Sequence, residues 1–205
     1  MILSTGFLPR LGLLLRSTDY IRVVVGGNDV LMGQYENNMN IKISISHQTL
    51  TLFDNDTQLK HYSISTAKNG PGERMDSECT PCGAHIISEK IGSGVEVNSV
   101  FVGRVATGEI YQPALRELHP QRDWILTRIL WLSGTEEGRN KGHKDNNEEN
   151  ICVDSHDRYI YLHGSSDDVA MGQPGSRGCI RMRNSDIIEL FDLIEVGTEL
   201  VINDD

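Results

Sequence analysis

The feature that most limits how this chain can fold is a strict alternation of apolar and polar residues that begins near residue 40. Successive side chains of a β-strand point to opposite faces, so a period of two predicts strands with one buried face. Polar residues at 54–56 interrupt the alternation as a turn would. We therefore predict a β-meander over residues 40–65. The apolar residues of the pattern are Ile41, Ile43, Ile45, Leu50, Leu52, Tyr62 and Ile64.

The rest of the chain predicts more strands than helices, and the expected fold class is mainly β. The predicted strands lie at 84–88, within 95–105, at 158–163 and at 200–202. The predicted loops span 68–83, 133–150 and 164–178. One helix is predicted to open at Ser185, because apolar residues then follow the i, i+3, i+4, i+7 spacing, and Gly197 is placed as its C-terminal stop.

Length and hydropathy indicate one globular domain with an N-terminal extension. A chain of 205 residues is long enough for one sizeable core. Regular patterning begins abruptly at Met39, so we assign residues 39–205 to the domain and residues 1–38 to an extension, with Met39 as an alternative start. No apolar run approaches the roughly 20 residues of a membrane helix, so we expect no membrane span.

The net charge limits which classes of partner the chain can bind, and the first residues indicate its cellular compartment. A formal net charge of -10 and a pI of about 5.1 argue against nucleic acid or anionic lipid as partners, because these require basic patches. Small substrates or peptides fit better. Residues 1–16 lack a basic start and a small-x-small cleavage site, so we expect no secretory signal and a cytoplasmic location. The periplasm is the alternative if the true N-terminus differs.

Four cysteines, Cys79, Cys82, Cys152 and Cys179, are expected to be free thiols, because a chain without an export signal stays in a reducing compartment. The spacing from Cys79 to Cys82 is that of half a zinc site. No second pair follows at a suitable distance, so we expect no metal. No other cofactor is expected.

The stretch that carries chemistry is His163-Gly164 followed, sixteen residues after the histidine, by Cys179. A thiol attacks as the thiolate and, at an ordinary pKa of about 8.5, needs a neighbouring base or positive charge. His163 can supply that base. Gly178 lets the backbone turn sharply, so that the N–H groups of Gly178 and Cys179 can face a developing oxyanion. Arg181, two residues past the cysteine, is suited to hold a carboxylate.

Each of these residues taken alone has a simpler explanation. A single cysteine is more often a small buried hydrophobic residue than a nucleophile, and a histidine at a strand end is usually a satisfied polar side chain. The combination and its spacing, rather than any one member, therefore indicate a nucleophilic site.

In combination the residues resemble the catalytic domain of the YkuD-type L,D-transpeptidases, whose signature is His-Gly, a loop of this length, and Ser/Thr-His-Gly-Cys-x-Arg or x-Asn. The matching residues are His163, Gly164, Ser176, Gly178, Cys179 and Arg181. Thr80-Pro-Cys-Gly83 is similar to the family's Thr-Pro-x-Gly element, and the resemblance covers nearly all of residues 39–205. It implies a β-sandwich of mixed sheets with a few helices, one of them after the cysteine, and it is nearest to the short, unexported, L,D-carboxypeptidase-like branch.

The resemblance implies a role for the matching residues. Cys179 would attack the carbonyl of the third residue of a peptidoglycan stem peptide and expel the terminal D-alanine. His163 would deprotonate the thiol and later protonate the leaving amine, while the backbone carbonyl of Gly164 orients the imidazole. Arg181 would hold a substrate carboxylate or the loop itself.

One residue departs from the family signature, because Arg177 stands where the family has a histidine before the Gly-Cys pair. A guanidinium cannot act as a base at neutral pH, although it can stabilise a thiolate. The alternative is that Arg177 only pairs with Asp167 or Asp168 in the loop. We assign Arg177, together with Ser176 and Arg181, to substrate binding.

Three functions remain open. Water would resolve the acyl-enzyme as an L,D-carboxypeptidase that releases D-alanine from muropeptides in peptidoglycan recycling, and an amine would resolve it as a periplasmic cross-linking transpeptidase. The third possibility is an inactive module that binds stem peptides. We favour hydrolysis over cross-linking, because no export signal is seen and cross-linking takes place in the periplasm. A covalent carbapenem adduct at Cys179, which the resemblance implies, would exclude the inactive module.

Overall fold

The computed structural model describes residues 21–25, 28–32, 38–145 and 150–205. The chain divides into two compact units, residues 1–37 and residues 38–205. In the first unit, β1 (Ile21–Val25) and β2 (Asn28–Met32) pair as an antiparallel hairpin. The proposed extension falls largely on this unit, and much of it lies outside the described residues.

The second unit opens with the meander that the alternation predicts. β3 (Met39–Ser44), β4 (Thr49–Asp54) and β5 (Thr57–Ser63) pair in antiparallel order. The alternating isoleucines and leucines of β3 and β4 are buried, whereas their polar neighbours are less covered. This β-meander is confirmed.

Ten strands in the described part of the second unit form one mixed sheet. The remaining members are β6 (Gly83–Ile91), β7 (Ser99–Val102), β8 (Val105–Ile110), β9 (Ile125–Gly134), β12 (Tyr161–Ser165), β13 (Ile180–Arg183) and β14 (Glu199–Asn203). The order is β13-β12-β9-β6-β14-β3-β4-β5, with β7 paired to β9 and β8 to β7. β12 and β13 are parallel, as are β14 and β3, and the other pairs are antiparallel.

The sheet closes on itself beside β13. Ser65, just after β5, exchanges two backbone hydrogen bonds of 2.9 Å with Arg181 of β13, which joins the two ends of the strand order. The mainly-β class and the mixed strand directions are therefore confirmed, and the layers of the fold come from a single curled sheet. Its main core holds the apolar residues of β3, β4, β12 and β13 together with one helix.

That helix, α2 (Asn184–Leu193), confirms the helix expected after the cysteine. Ile187, Leu190 and Phe191 are its buried apolar residues and pack into the main core. The predicted stop is wrong. The helix ends before Ile194, which is already extended, and Gly197, with φ of +91°, forms the turn that leads into β14.

Other differences concern short elements with weak sequence signals. α1 (Pro113–Leu118) was not expected, and it buries no residue that would produce a periodic pattern. The stretch predicted as a loop over 133–150 contains the end of β9 and most of a small hairpin of β10 (His143–Asp145) and β11 (Asn150–Cys152). Residues 146–149 of that stretch lie outside the described residues. No helix of the described parts is long and apolar enough to cross a bilayer.

Candidate active site

His163 lies inside β12 rather than at its end, because the strand continues to Ser165. The side chain is completely buried. Nδ1 lies 2.9 Å from the carbonyl oxygen of Gly164, so Nδ1 carries the proton and donates it to that carbonyl. Nε2 is then the unprotonated nitrogen, and it has no hydrogen-bond partner among the described residues. Burial lowers the pKa of His163, which favours this neutral form.

Cys179 immediately precedes β13 and is half-buried against an aromatic cluster that includes Tyr161. Its thiol donates to the carbonyl oxygen of Tyr159 at 3.4 Å. Burial raises the pKa of Cys179 to about 12. The negative charge of Asp123 acts in the same direction, whereas Arg181 and Arg158 favour the thiolate.

The parallel pairing of β12 and β13 places the thiol and the imidazole on one face of the sheet. Leu162 is opposite Ile180, and both lie in the main core. Because side chains alternate along a strand, His163 and Cys179 both point to the opposite face. The structure contains no direct hydrogen bond between them, since the thiol donates to a backbone carbonyl and Nε2 is unpartnered within the described parts.

The turn before the nucleophile is held by two hydroxyl groups. Gly178 has φ of +125°, and a β-carbon there would lie 3.3 Å from Ile160 Cδ1, so the position suits glycine. Ser176 Oγ accepts from Gly178 N–H at 3.2 Å and donates to the carbonyl of Cys179. Thr80 Oγ1 accepts from Ala67 N–H and donates to the carbonyl of Gly178, both at 2.9 Å.

These contacts bear on two assignments made from sequence. The N–H of Gly178 is directed to Ser176 instead of an open site, so the structure does not present it as an oxyanion donor. Ser176 is 3% exposed and its hydroxyl is satisfied within the turn, so it stabilises the loop, and its assignment to substrate binding stays a prediction. The N–H of Cys179 stays a predicted oxyanion donor.

Arg181 holds the loop, which is one of the two roles predicted for it. Nη1 donates to the carbonyl of Gly175 at 2.9 Å, and Nη2 lies 3.2 Å from Asp123 Oδ1. Asp123 had no sequence motif to mark it, and it precedes β9 by two residues. Its carboxylate acts electrostatically on both His163 and Cys179.

Arg177 is exposed and makes no hydrogen bond or ion pair with the described residues. The alternative pairing with Asp168 is wrong, because that carboxylate pairs with Arg116 at 2.7 Å. No ion pair joins Arg177 to Asp167 in the described parts either. The Arg177 guanidinium is therefore available to a ligand, and its assignment to substrate binding stays a prediction.

Sequence reasoning also missed two arginines near the thiol. Arg158 donates to the carbonyl of Cys79 at 2.8 Å, and its buried Nη1 has no partner within the described residues. Arg104 lies over the rings of Trp131 at 4.3 Å and Tyr159 at 4.9 Å. Neither follows a motif, although Arg158 lies only five residues before the histidine.

The four cysteines are free thiols. Cys79, Cys82, Cys152 and Cys179 are all unpaired. In the described parts, no group of three or more His, Cys, Asp and Glu side chains is arranged to hold a metal ion. The side chains that the site brings together include a thiol, an imidazole and arginines.

Known proteins include relatives that match part of this chain. YqjB of Bacillus subtilis (strain 168), assigned to the L,D-transpeptidases, is 44% identical over 50 residues, which are 24% of this chain and 28% of YqjB. YkuD of the same organism, assigned likewise, is 43% identical over 42 residues, which are 20% of this chain and 26% of YkuD. The matched segments therefore span about a quarter of the length of these relatives.

Solved structures are also similar to this chain. The L,D-transpeptidase from Mycobacterium smegmatis is similar over 92% of this chain and 68% of that chain, with a TM-score of 0.47 and 14% identity. Bd1075 of Bdellovibrio bacteriovorus is similar over 82% of this chain and 48% of that chain, with a TM-score of 0.50 and 17% identity.

The family model of YkuD, the L,D-transpeptidase catalytic domain, matches residues 38–202, which is most of the chain. The chain belongs to the YkuD family of L,D-transpeptidase catalytic domains.

Proposed function

We propose that the protein cleaves peptidoglycan stem tetrapeptides through a Cys179 acyl-enzyme and releases the terminal D-alanine by hydrolysis. The observation that carries the proposal is the placement of Cys179 and His163 on one face of adjacent parallel strands, with Nε2 unprotonated and unpartnered among the described residues. A base with a free lone pair beside a thiol is what nucleophilic catalysis requires.

The acylation step follows from these two groups. The Cys179 thiol proton moves to His163 Nε2 while sulfur bonds to the carbonyl carbon of the third residue, and the carbonyl electrons move to oxygen. When the tetrahedral adduct collapses, the carbon–nitrogen bond breaks and Nε2 returns the proton to the amine of D-alanine. A thioester and free D-alanine result.

Hydrolysis restores the enzyme by the same groups. Water gives a proton to Nε2 of His163 as its oxygen bonds to the thioester carbon, and the carbon–sulfur bond breaks. Sulfur then takes the proton back. The hydrogen bond from Nδ1 to the carbonyl of Gly164 keeps Nε2 directed at the reacting atoms in both steps.

Basic side chains near the thiol support an acidic peptide as the substrate. Arg177 is exposed without an acidic partner in the described parts, and Arg104 is held by aromatic rings and by the hydroxyl of Tyr161 at 3.1 Å. A stem peptide carries a terminal carboxylate, and guanidinium groups bind carboxylates well. In a chain with a net charge of -10, such a basic edge would attract this end of the peptide.

The choice of water over an amine as acceptor rests on compartment. The four free thiols suit a reducing compartment, so we propose the cytoplasm, where recovered muropeptides would be the substrate. Cross-linking is the second candidate function, favoured by the L,D-transpeptidase names of the related proteins.

Incubating the purified chain with a disaccharide tetrapeptide, with and without an amine acceptor, tests the proposal by mass spectrometry of the products. We expect tripeptide and D-alanine in both cases, a loss of at least about 1,000-fold in Cys179→Ala, and full activity in the control Cys152→Ala. A cross-linked dimer as the main product would reject hydrolysis in favour of transfer. If the protein shows no turnover and forms no carbapenem adduct at Cys179, both enzymatic functions would be rejected in favour of an inactive module that binds stem peptides.

A further inference from the structure

Thr127 adopts a backbone conformation that its side chain disfavours. Its φ is +70°, in the left-handed region, although it is a β-branched residue inside strand β9 and fully buried. A β-branched residue in this region is a real outlier, and such strain persists only where the surroundings enforce it. Something specific therefore holds this residue in place.

The strain coincides with a break in the pairing of β9 and β12. His163 is opposite Ile129, but the next residue, Gly164, is opposite Leu126. Thr127 and Arg128 are therefore extra residues on β9, which makes this a bulge directly beside the histidine. Bulges of this kind redirect neighbouring side chains and often lie next to active sites.

A closed ring of hydrogen bonds fixes the bulge. The backbone N–H of Asn98 donates to Thr127 Oγ1 at 3.0 Å, and that hydroxyl donates to Asn184 Oδ1 at 2.6 Å. Asn184 Nδ2 donates back to Asn98 Oδ1 at 2.7 Å. The ring joins β9, the first residue of α2 and the segment before β7.

The ring packs directly against Gly164. A β-carbon at this glycine would lie 2.4 Å from Asn184 Oδ1 and 3.1 Å from Thr127 Cβ, so the backbone of Gly164 fills the space that the ring leaves. The carbonyl of the same glycine accepts the Nδ1 proton of His163 at 2.9 Å. The ring therefore fixes the backbone of Gly164, and the carbonyl of Gly164 in turn fixes the orientation of the imidazole.

We propose that Thr127 is a positioning residue for catalysis: its hydroxyl, through Asn184, sets the backbone of Gly164 and so directs His163 Nε2 at Cys179. This rests on the proposed role of His163 as the base. Thr127 acts through the backbone of Gly164 and not by contact with the thiol or the substrate.

The rate of Cys179 acylation by a carbapenem, followed by mass spectrometry across pH, tests the inference. Thr127→Val keeps the shape and removes the hydroxyl, so the acylation rate should fall roughly 10- to 100-fold. Its acid limb should also move to higher pH, because a loosened imidazole becomes more hydrated. Thr127→Ser restores the hydroxyl and should recover most of the lost rate.

Two further variants separate positioning from folding. Asn98→Gly tolerates the positive φ of +69° at that position and removes the amide of the ring, so it should shift rate and acid limb in the same direction as Thr127→Val. Thr198→Val removes another buried hydroxyl, which accepts from Glu195 N–H at 3.2 Å, and should lower the melting temperature without moving the acid limb.

The outcomes distinguish the two proposals. A wild-type protein that forms no adduct at Cys179 would reject the proposed function. Wild-type acylation with an unchanged rate and pH profile in folded Thr127→Val and Asn98→Gly would reject the positioning role alone. If Thr127→Val does not fold, Asn98→Gly decides by the same two measurements.

Discussion

At the scale of single residues, the thiol and the imidazole are both shifted toward their neutral forms. Burial raises the pKa of Cys179 to about 12 and lowers the pKa of His163 below its ordinary value. These shifts favour a neutral thiol and a neutral imidazole over a thiolate–imidazolium pair in the free protein. The proton has to move to Nε2 as the sulfur attacks, and a bound substrate that alters the hydration of the site would change this balance.

Alkylation of Cys179 by iodoacetamide should follow from that resting state. We expect the rate to be low near about pH 7 and to keep rising through about pH 10, because the thiol loses its proton only at high pH. Peptide mapping separates this thiol from the other three, and Cys179→Ala supplies the blank. A rate that levels off below about pH 7 would reveal a preformed ion pair and contradict the expectation.

Asp123→Asn tests the electrostatic coupling of the site. The Asp123 carboxylate raises the pKa of Cys179 as well as that of His163, and asparagine keeps an oxygen for Arg181 Nη2. Removing the negative charge should lower the pKa of Cys179, so its alkylation should be faster at any pH below that pKa, by up to about tenfold for each unit of change. An unchanged or slower alkylation rate would mean that Asp123 does not act on the thiol.

At the scale of elements, the β7–β8 hairpin places the positive charge of Arg104 beside the site. Gly103 and Arg104 form its two-residue turn with φ of +54° and +69°, as right-twisted hairpins favour. This turn carries the guanidinium of Arg104 onto the rings of Trp131 and Tyr159. Because the thiol donates to Tyr159, the hairpin and the nucleophile share a neighbour.

Arg104→Gln should therefore weaken substrate binding more than turnover. Loss of a charge-assisted hydrogen bond of about 1.5 kcal/mol to a peptide carboxylate would raise KM roughly tenfold, with a smaller change in kcat. Arg122→Gln is the matched control, because its guanidinium also lies over a tryptophan ring, at 4.7 Å, but pairs with Glu109. Steady-state kinetics on the tetrapeptide give both constants. Equal effects of the two variants would contradict a substrate contact for Arg104.

Some elements were predictable from sequence because their burial is periodic. The alternation in β3 and β4 and the spacing of Ile187 and Leu190 in α2 each have one buried face, which a pattern records. No periodic sequence pattern marks the bulge at Thr127. It lies in an apolar run over 124–132 in which two extra residues change neither period nor composition.

At the scale of the whole molecule, the candidate site was predictable where its residues are close in the chain. His163 and Cys179 share one motif, and the parallel pairing of their strands brings them together. Asp123 and Arg104 lie in connections between strands that are distant in the chain from this motif. Their positions depend on sheet closure, which is a long-range property without a local sequence signal.

The stability of the whole fold should fall in mild acid because of a histidine far from the nucleophile in sequence. His85 is 1% exposed, donates from Nδ1 to the carbonyl of Gly83, and accepts at Nε2 from the hydroxyl of Ser155, each at 2.9 Å. Burial lowers its pKa from 6.5 to about 4. The unfolded chain thus binds a proton more readily than the folded one between these values.

The contribution of neutral His85 to the free energy of unfolding should therefore be fully present above about pH 6.5. It should decline as the pH falls toward about 4, and its full loss would lower the free energy of unfolding by about 3 kcal/mol. The buried His163 adds a loss of the same sign. Urea unfolding at a series of pH values measures the slope. His85→Gln, which can still reach Ser155, should flatten this slope relative to the wild type, whereas His61→Gln, at an exposed histidine, should not. An equally steep slope in His85→Gln would place the acid sensitivity in other groups, because a residue without a titrating proton cannot contribute to it.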